Sequence, residues 1–332
     1  MSKKSNQKLK LICVLDVLRK FSDEENPLSA NEISEHLLAQ GIEAERKSIY
    51  ADIEALIDYG YDIVRSFSGK KGFFLGSRDF EEAEIFLLSD AVRTARFISP
   101  KKTRQLLSKL GSMLSSGQVA RREKNVYFDA AQKCGNEEIF YNIDTISKAI
   151  SQKQQVVFNY TSRELKGREF VNIIKPMQVS PYALTWQDDH YYLICNYEKY
   201  DNLLHLRLDR ITKANICETA SRHFSQVSEY KDYFDIADYT NRLFGMHSGN
   251  LQTIELCCKR EMAKMVADRF SENIFITNVT ETEFCFSYKA AISEALVTYI
   301  LNFGDGIKVI KPQQLKDMIV DRTKKVLNMY EK

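Results

Sequence analysis

Helical and extended apolar patterns follow one another in blocks along this chain, and a chain patterned that way does not close around one core. Leu11, Ile12, Leu15 and Leu18 recur at helical spacing, as do Ile33, Leu37 and Leu38, and then Ile49, Ile53, Leu56 and Ile57. After Gly60 two short apolar runs, 61–64 and 73–75, read as a β-hairpin. Residues 79 to about 153 return to a helical pattern through Ile85, Phe86, Leu88, Leu106, Leu107, Leu110, Met113 and Leu114, with a restart at Ser99-Pro100. Strand signals dominate from 154 to about 217, and many short strands with turns suggest a small barrel. A tyrosine-rich connector over 230–239 leads to an α/β unit with strands at 252–258 and 283–288, helices at 261–270 and 293–301, the segment GDGIKVIKP and a last helix. At 332 residues, two to three domains are expected.

The first block has the order of a DNA reader. Ser29 with Glu32 three residues later is a capping box, Gly41 breaks the second helix, and a third helix is expected over 45–59. The turn Ser68, Gly69, Lys70, Lys71, Gly72 gives the hairpin a basic tip, which completes a winged helix-turn-helix. A turn of about 100° per residue sets Lys47, Ala51 and Glu54 opposite the apolar stripe, with Arg46 and Tyr50 flanking it. The N-terminal part of such a helix enters the major groove, so Arg46, Lys47, Ser48 and Tyr50 are the expected contacts, with Lys70 and Lys71 on phosphates.

The balance of 47 basic and 45 acidic residues argues against a protein that coats nucleic acid indiscriminately, so any such site must be local. Seven cysteines, no CxxC pair and no matching histidine pair point to reduced, mostly buried thiols rather than a disulfide framework or a zinc site. The opening segment is unlike a secretory signal and no stretch approaches the ~20 apolar residues that span a bilayer. A cytoplasmic protein is expected.

The densest chemistry lies in 160–196, NYTSRELKGREFVNIIKPMQVSPYALTWQDDHYYLICN counted from Asn159, and in LRLDRI at 206–211. Rings and guanidinium groups that gather there, Tyr160, Tyr182, Tyr192, Arg207 and Arg210, suit an anionic planar ligand such as a nucleotide. Strand alternation turns Arg207 away from Leu206 and Leu208, and turns Tyr192 to a groove if Tyr191 joins Leu193 in the core. Arg210 fits either a ligand contact or an ion pair with Asp209. Asp188-Asp189 reads as a hairpin tip, and His190 and His205 read as surface or packing residues.

The whole text resembles the bacterial WYL-domain transcription regulators, which join a winged helix-turn-helix to a WYL domain and a C-terminal extension. RKSIYADIEAL is similar to their recognition helix, with Ala51 where members often carry a basic residue. VVFNY, SPYALTW, YYLI and LRLDRI match the WYL domain, with Tyr191-Tyr192-Leu193 in place of Trp-Tyr-Leu, and LNFGDGIKVIKPQQLKDMI is similar to the extension. The resemblance implies an α+β multidomain protein: a winged helix-turn-helix over 1–78, a helical linker or dimerisation region over 79–139, an Sm- or SH3-like β-barrel sensing a ligand over 140–222, a connector over 223–249 and a ferredoxin-like extension over 250–332. It also implies a homodimer on palindromic double-stranded DNA, a single-stranded nucleic acid or nucleotide effector, and no cofactor. Ser180 enters the expected ligand set by this resemblance, beside Tyr160, Tyr182, Tyr192, Arg207 and Arg210.

A nucleophile with its base, paired carboxylates and a phosphate-binding glycine loop are all missing from the sequence, so an enzyme is not expected. A ligand-responsive transcription factor is the leading reading. The alternative is an accessory protein that binds RNA or single strands for a partner complex.

Overall fold

The computed structural model describes residues 3–67, 69–123, 133–270 and 274–331. Ser68 of the expected hairpin turn and 124–132 of the expected linker lie outside the described residues. The chain divides into two units, Met1–Glu137 and Glu138–Lys332, and among the described residues its strands form antiparallel sheets of two, four and five strands. No helix among the described residues is long and apolar enough to cross a membrane.

In the first unit, α1 (Lys3–Phe21), α2 (Ala30–Ala39) and α3 (Arg46–Tyr59) precede a hairpin of β1 (Ile63–Ser66) and β2 (Gly72–Leu75). The apolar stripes converge: Val14, Val17 and Leu18 pack with Ile33, Leu37, Ile49 and Ile53, closed below by Leu28, Phe73 and Leu75. Ser29 caps α2 in the reciprocal box with Glu32, an arrangement worth about 1 kcal/mol. Gly60, at φ 114°, ends α3 in the left-handed region that a side chain resists. Leu28 and Phe73 exchange backbone hydrogen bonds of 2.9 and 2.8 Å. The adjacent Gly72 makes that approach feasible, since a Cβ there would meet the Leu28 carbonyl carbon at 2.5 Å.

Three further helices follow, α4 (Glu82–Thr94), α5 (Pro100–Gly111) and α6 (Ser116–Glu123), with Ser99 capping α5. They are fastened to the first three by polar contacts. Asp23 is buried and accepts from Ser115, while Arg121 pairs with Glu25 at 2.8 Å and Glu82 at 3.1 Å. Arg78 donates to the carbonyls of Arg19 and Ser22 at 2.8 and 2.7 Å, and burial lowers its pKa.

The second unit opens with α7 (Ile139–Gln152), which packs on a sheet of β3 (Gln154–Lys166), β4 (Glu169–Gln187), β5 (His190–Asn196), β6 (Leu204–Arg207) and β7 (Ile211–Ala220), in the order β6-β5-β4-β3-β7. β4 bends so that its first part pairs with β3 and its last part with β5. Val156, Phe158, Val179, Leu193, Ile211 and Ala214 are buried, as are Ile146 and Ala149 of α7. The connector is not a tether. Phe234, Tyr239, Leu243 and Met246 pack on Ile194 and Ala183, with α8 (Ile236–Asn241) among them.

The C-terminal part runs β8 (Asn250–Lys259), α9 (Ala263–Phe270), β9 (Phe275–Val279), β10 (Glu283–Ile292), α10 (Glu294–Leu301), β11 (Ile307–Lys311) and α11 (Gln313–Tyr330), with sheet order β11-β8-β10-β9. Ile254, Leu256, Phe286, Val297 and Ile300 form its core. The reading of the cysteines as reduced thiols is corrected at one pair. Cys257 and Cys285 stand opposite each other in the β8–β10 register and are joined as a disulfide. Sequence spacing alone does not reveal such a pair, because strand register is what brings the two residues together.

Candidate functional site

Two groups of side chains take up the residues expected to bind. The first surrounds the start of α3, where Glu45 leaves the helix N-terminus without a side-chain cap. Uncapped backbone N–H groups and the helix dipole there favour a negative partner. Arg46 and Lys47 are exposed, and the Arg46 guanidinium lies 5.7 Å from the Tyr50 ring centre. A cleft of about 230 Å³ is lined by Asn31 from the first turn of α2, Arg46 and Tyr50 from α3, and Arg65 and Lys71 from the hairpin. Arg65 lies over Phe67 and Phe73 at 5.1 and 5.6 Å, which fixes its charge at the cleft.

Two expected contacts are directed elsewhere. The Ser48 hydroxyl accepts from Lys10, whose ammonium also pairs with Asp52 at 2.9 Å, so Ser48 faces α1. Lys70 folds back onto Glu32 at 2.7 Å. That ion pair and the hydrogen bonds from Ser29 hold the Glu32 carboxyl at a pKa of about 2. Arg65 and Asn31 escaped the reading of the sequence. Arg65 is the one basic residue in a four-residue strand, and its place at the cleft depends on hairpin register.

The second group sits on β3, β5 and β6. Tyr192 and Arg207 are directly opposed in the β5–β6 register, and Ile194 and His205 are the next pair on the same face. Leu206 and Leu208 are buried on the other side, which leaves Arg207 with 27% of its side chain exposed. Arg207 forks onto Asp209, Nε to Oδ1 at 3.0 Å and Nη2 to Oδ2 at 2.8 Å. The sequence left Arg210 open between a ligand contact and an ion pair with Asp209; the short 3-10 turn at Leu208–Arg210 brings the carboxylate back to Arg207. The hydrogen bond to Asp209 raises the guanidinium pKa, with Tyr192 and Tyr160 adding to it against burial. Burial raises the Tyr192 phenol while Arg207 pulls it down. Tyr160 and Arg210 are each half-buried, and among the described residues no hydrogen bond or ion pair engages the Arg210 side chain.

Ser180 and Tyr182 do a different task. Ser180 is 2% exposed and its hydroxyl accepts from the Arg222 amide at 2.9 Å; the Tyr182 hydroxyl donates to the Arg222 carbonyl at 2.9 Å. Both fasten the chain after β7, and burial pushes the Tyr182 phenol up to about 12. Tyr191 and Tyr192 are both half-buried, while residues 193–196 are all buried. Alternation sorts residues into core and solvent only where one face is wet, and here the connector covers part of the outer face. His205 is a packing residue: its ring bonds the Met246 carbonyl at 2.8 Å and the Tyr239 hydroxyl at 2.9 Å, and burial lowers its pKa to about 4. Among the described residues no group of His, Cys, Asp or Glu side chains is placed to hold a metal ion.

Comparison with known proteins matches residues 141–216 to the WYL domain and residues 250–327 to the WCX domain. No curated protein matches the chain. Solved structures similar to it include these two. One is proteasome accessory factor B/C (PafBC) of Arthrobacter aurescens, with 16% identity over 98% of this chain and 49% of that one at a TM-score of 0.29. The other is a CRISPR Cas-related protein, with 14% identity over 98% of this chain and 86% of that one at a TM-score of 0.35. The chain thus spans about half the length of the PafBC chain, at 49%.

Proposed function

We propose that this chain, which matches the WYL domain over 141–216 and the WCX domain over 250–327, is a WYL-domain regulator: a ligand-responsive transcription factor that acts by binding rather than by catalysis. The cleft at the start of α3 carries the proposal: Arg46, Arg65 and Lys71 converge there beside Tyr50 and the first turn of α2. Cations gathered at an uncapped helix N-terminus suit duplex DNA, with α3 in the major groove and the hairpin as a wing. In this reading the five-stranded sheet is the Sm- or SH3-like sensor and the β8–β11 unit a ferredoxin-like extension. The sensor groove is Tyr160, Tyr192, Arg207 and Arg210, and its effector is a nucleotide or single-stranded nucleic acid. Exposed Leu87 and Leu88 of α4, at 72% and 40%, offer apolar surface for a homodimer that meets palindromic sites.

Coupling requires the effector to bind the DNA-competent and DNA-incompetent states with different affinity. The test is a genome-wide duplex pull-down with the full chain, repeated with Lys47→Ala and with Arg207→Ala. Discrete palindromic sites, lost with Lys47→Ala and insensitive to nucleotides with Arg207→Ala, are the expected result. Absence of any enriched duplex site would sink the regulator reading.

A further inference from the structure

The ladders of β3 and β4 reach beyond the sheet. β3 pairs with β7 as far as Tyr160↔Ile211, and β4 pairs with β5 from Ser180↔Asn196 onward. Among the described residues, 161–175 pair only within the β3–β4 ladder, from Tyr160↔Lys175 to Lys166↔Glu169. They form a two-stranded ribbon whose paired part runs about 20 Å past Tyr160 at ~3.3 Å per residue. Gly167, at φ 64°, makes its turn.

Side chains alternate between the two faces of a ribbon. One face carries Arg163, Leu165, Phe170, Asn172 and Ile174; all are exposed, Phe170 at 77%, Leu165 at 62% and Ile174 at 61%. Glu164 and Glu169 belong to the other face. Arg163 and Asn172 are directly opposed in register, and among the described residues no hydrogen bond or ion pair engages the side chains of Arg163, Arg168 or Asn172. The ribbon holds four basic residues, Arg163, Lys166, Arg168 and Lys175, against those two acids.

We propose that residues 161–175 are a second nucleic-acid-reading element, which lays the Arg163/Asn172 face into the major groove of duplex DNA. A two-stranded β-ribbon fits that groove, about 12 Å wide. Arginine pairs bidentately with guanine, asparagine with adenine, and apolar side chains meet the thymine methyl group, so this face has a donor set for base edges. Arg168 and Lys166 at the turn lie where phosphates would pass. Two other occupants fit less well. Apolar contact between two ribbons of a dimer would bury Arg163 with no carboxylate on its face to pair it. A single strand tracks along successive stacking rings, and this face offers one ring, Phe170.

This element is independent of the winged-helix reading. The test is selection of bound duplexes from a random-sequence library by the full chain, followed by affinity and footprint measurements on the selected duplex. Three variants are compared: Arg163→Ala/Asn172→Ala, Arg168→Glu at the exposed turn, and Lys47→Ala on α3. Melting curves matching wild type establish that each is folded. The expected result is at least tenfold weaker binding by the Arg163/Asn172 variant, with loss of preference at two or three adjacent base pairs distinct from those lost with Lys47→Ala. Wild-type affinity and footprint in both ribbon variants overturns the proposal while leaving the winged helix untouched. Loss confined to the ribbon variants supports the proposal and removes the winged helix instead. Capture of no duplex overturns both. A dimer that becomes a monomer on Arg163→Ala/Asn172→Ala with an unchanged footprint, or weakened binding of single strands alone, also overturns it.

Discussion

Arg207 and Asp209 share a two-pronged hydrogen bond, Nε and Nη2 to the two carboxylate oxygens at 3.0 and 2.8 Å. The pair leaves Nη1 of Arg207 for another acceptor and sets a competitor against any anionic ligand. Asp209→Asn is therefore expected to tighten binding of a nucleotide or short single strand several-fold. Arg207→Ala is expected to weaken it at least tenfold. Titration calorimetry on the full-length variants reads both, and equal affinities across the three proteins would remove Arg207 from the groove.

The α3 prediction concerns salt. Lys47→Ala should weaken duplex binding across sequences and reduce the slope of log affinity against log salt by about 1, as loss of one phosphate contact does. Ser48→Ala should leave that slope unchanged, because its hydroxyl already serves Lys10. A filter-binding series between low and moderate salt distinguishes the two.

His205 gives acid sensitivity to the second unit. Its pKa is depressed from 6.5 to about 4 by burial, so the unfolded chain binds a proton that the folded chain does not. The sign follows: stability is intact above pH 6.5 and declines as pH falls toward 4, at up to about 1.4 kcal/mol per pH unit. Thermal melts of wild type and His205→Gln should diverge in slope across that window and run parallel above it. Parallel curves throughout would place the acid response elsewhere.

At the N-cap of α2, Ser29→Ala should cost the first unit about 1 kcal/mol. Glu32 adds a separate acid limb. Its carboxyl is held at about 2 by Lys70 and Ser29, so its contribution is present above pH 4.5 and is lost as pH falls toward 2. Denaturant midpoints of Ser29→Ala and Lys70→Ala at neutral and acid pH test this; Lys70→Ala should flatten the acid limb without removing the cap.

Gly72→Ala should disturb the hairpin more than its size suggests. The added methyl would meet the Leu28 carbonyl carbon at 2.5 Å, so the Leu28–Phe73 bridge must open. Amide hydrogen exchange at Leu28 and Phe73 is expected to speed up by at least tenfold, with duplex affinity falling alongside it. Unchanged protection would mean that the loop before α2 moves to make room.

What the sequence made legible was local chemistry. The Ser29/Glu32 box caps α2 as the residues suggest, and the turn at Asp188-Asp189 adopts the two positive φ angles, 48° and 59°, of a tight hairpin. Long apolar stripes placed α1, α2 and α3 because most of each stripe faces one shared core, while Ile12, Leu38 and Ile57 stand exposed. Contacts made by register or by tertiary packing were not legible. β9 escaped notice because all five of its residues are exposed at a sheet edge, so no burial pattern marks it. The partner of Asp209 depended on a 3-10 turn, and the Cys257–Cys285 pair on strand register. At the candidate sites, residue types pointed to Arg46, Tyr192 and Arg207, while Ser48, Ser180 and Tyr182 turned out to be spent on hydrogen bonds within the fold.

The aromatic segment after β7 has a practical corollary for anyone who dissects this molecule. Phe234, Tyr239, Leu243 and Met246 roof Ile194 and Ala183. A fragment cut at the end of β7 would carry an unroofed greasy patch into water, and would be expected to clump or to borrow cover from a neighbour. The smallest piece that behaves as a monodisperse sensor should be the whole second unit, Glu138–Lys332, because Ala291 of β10 is buried in the same cluster.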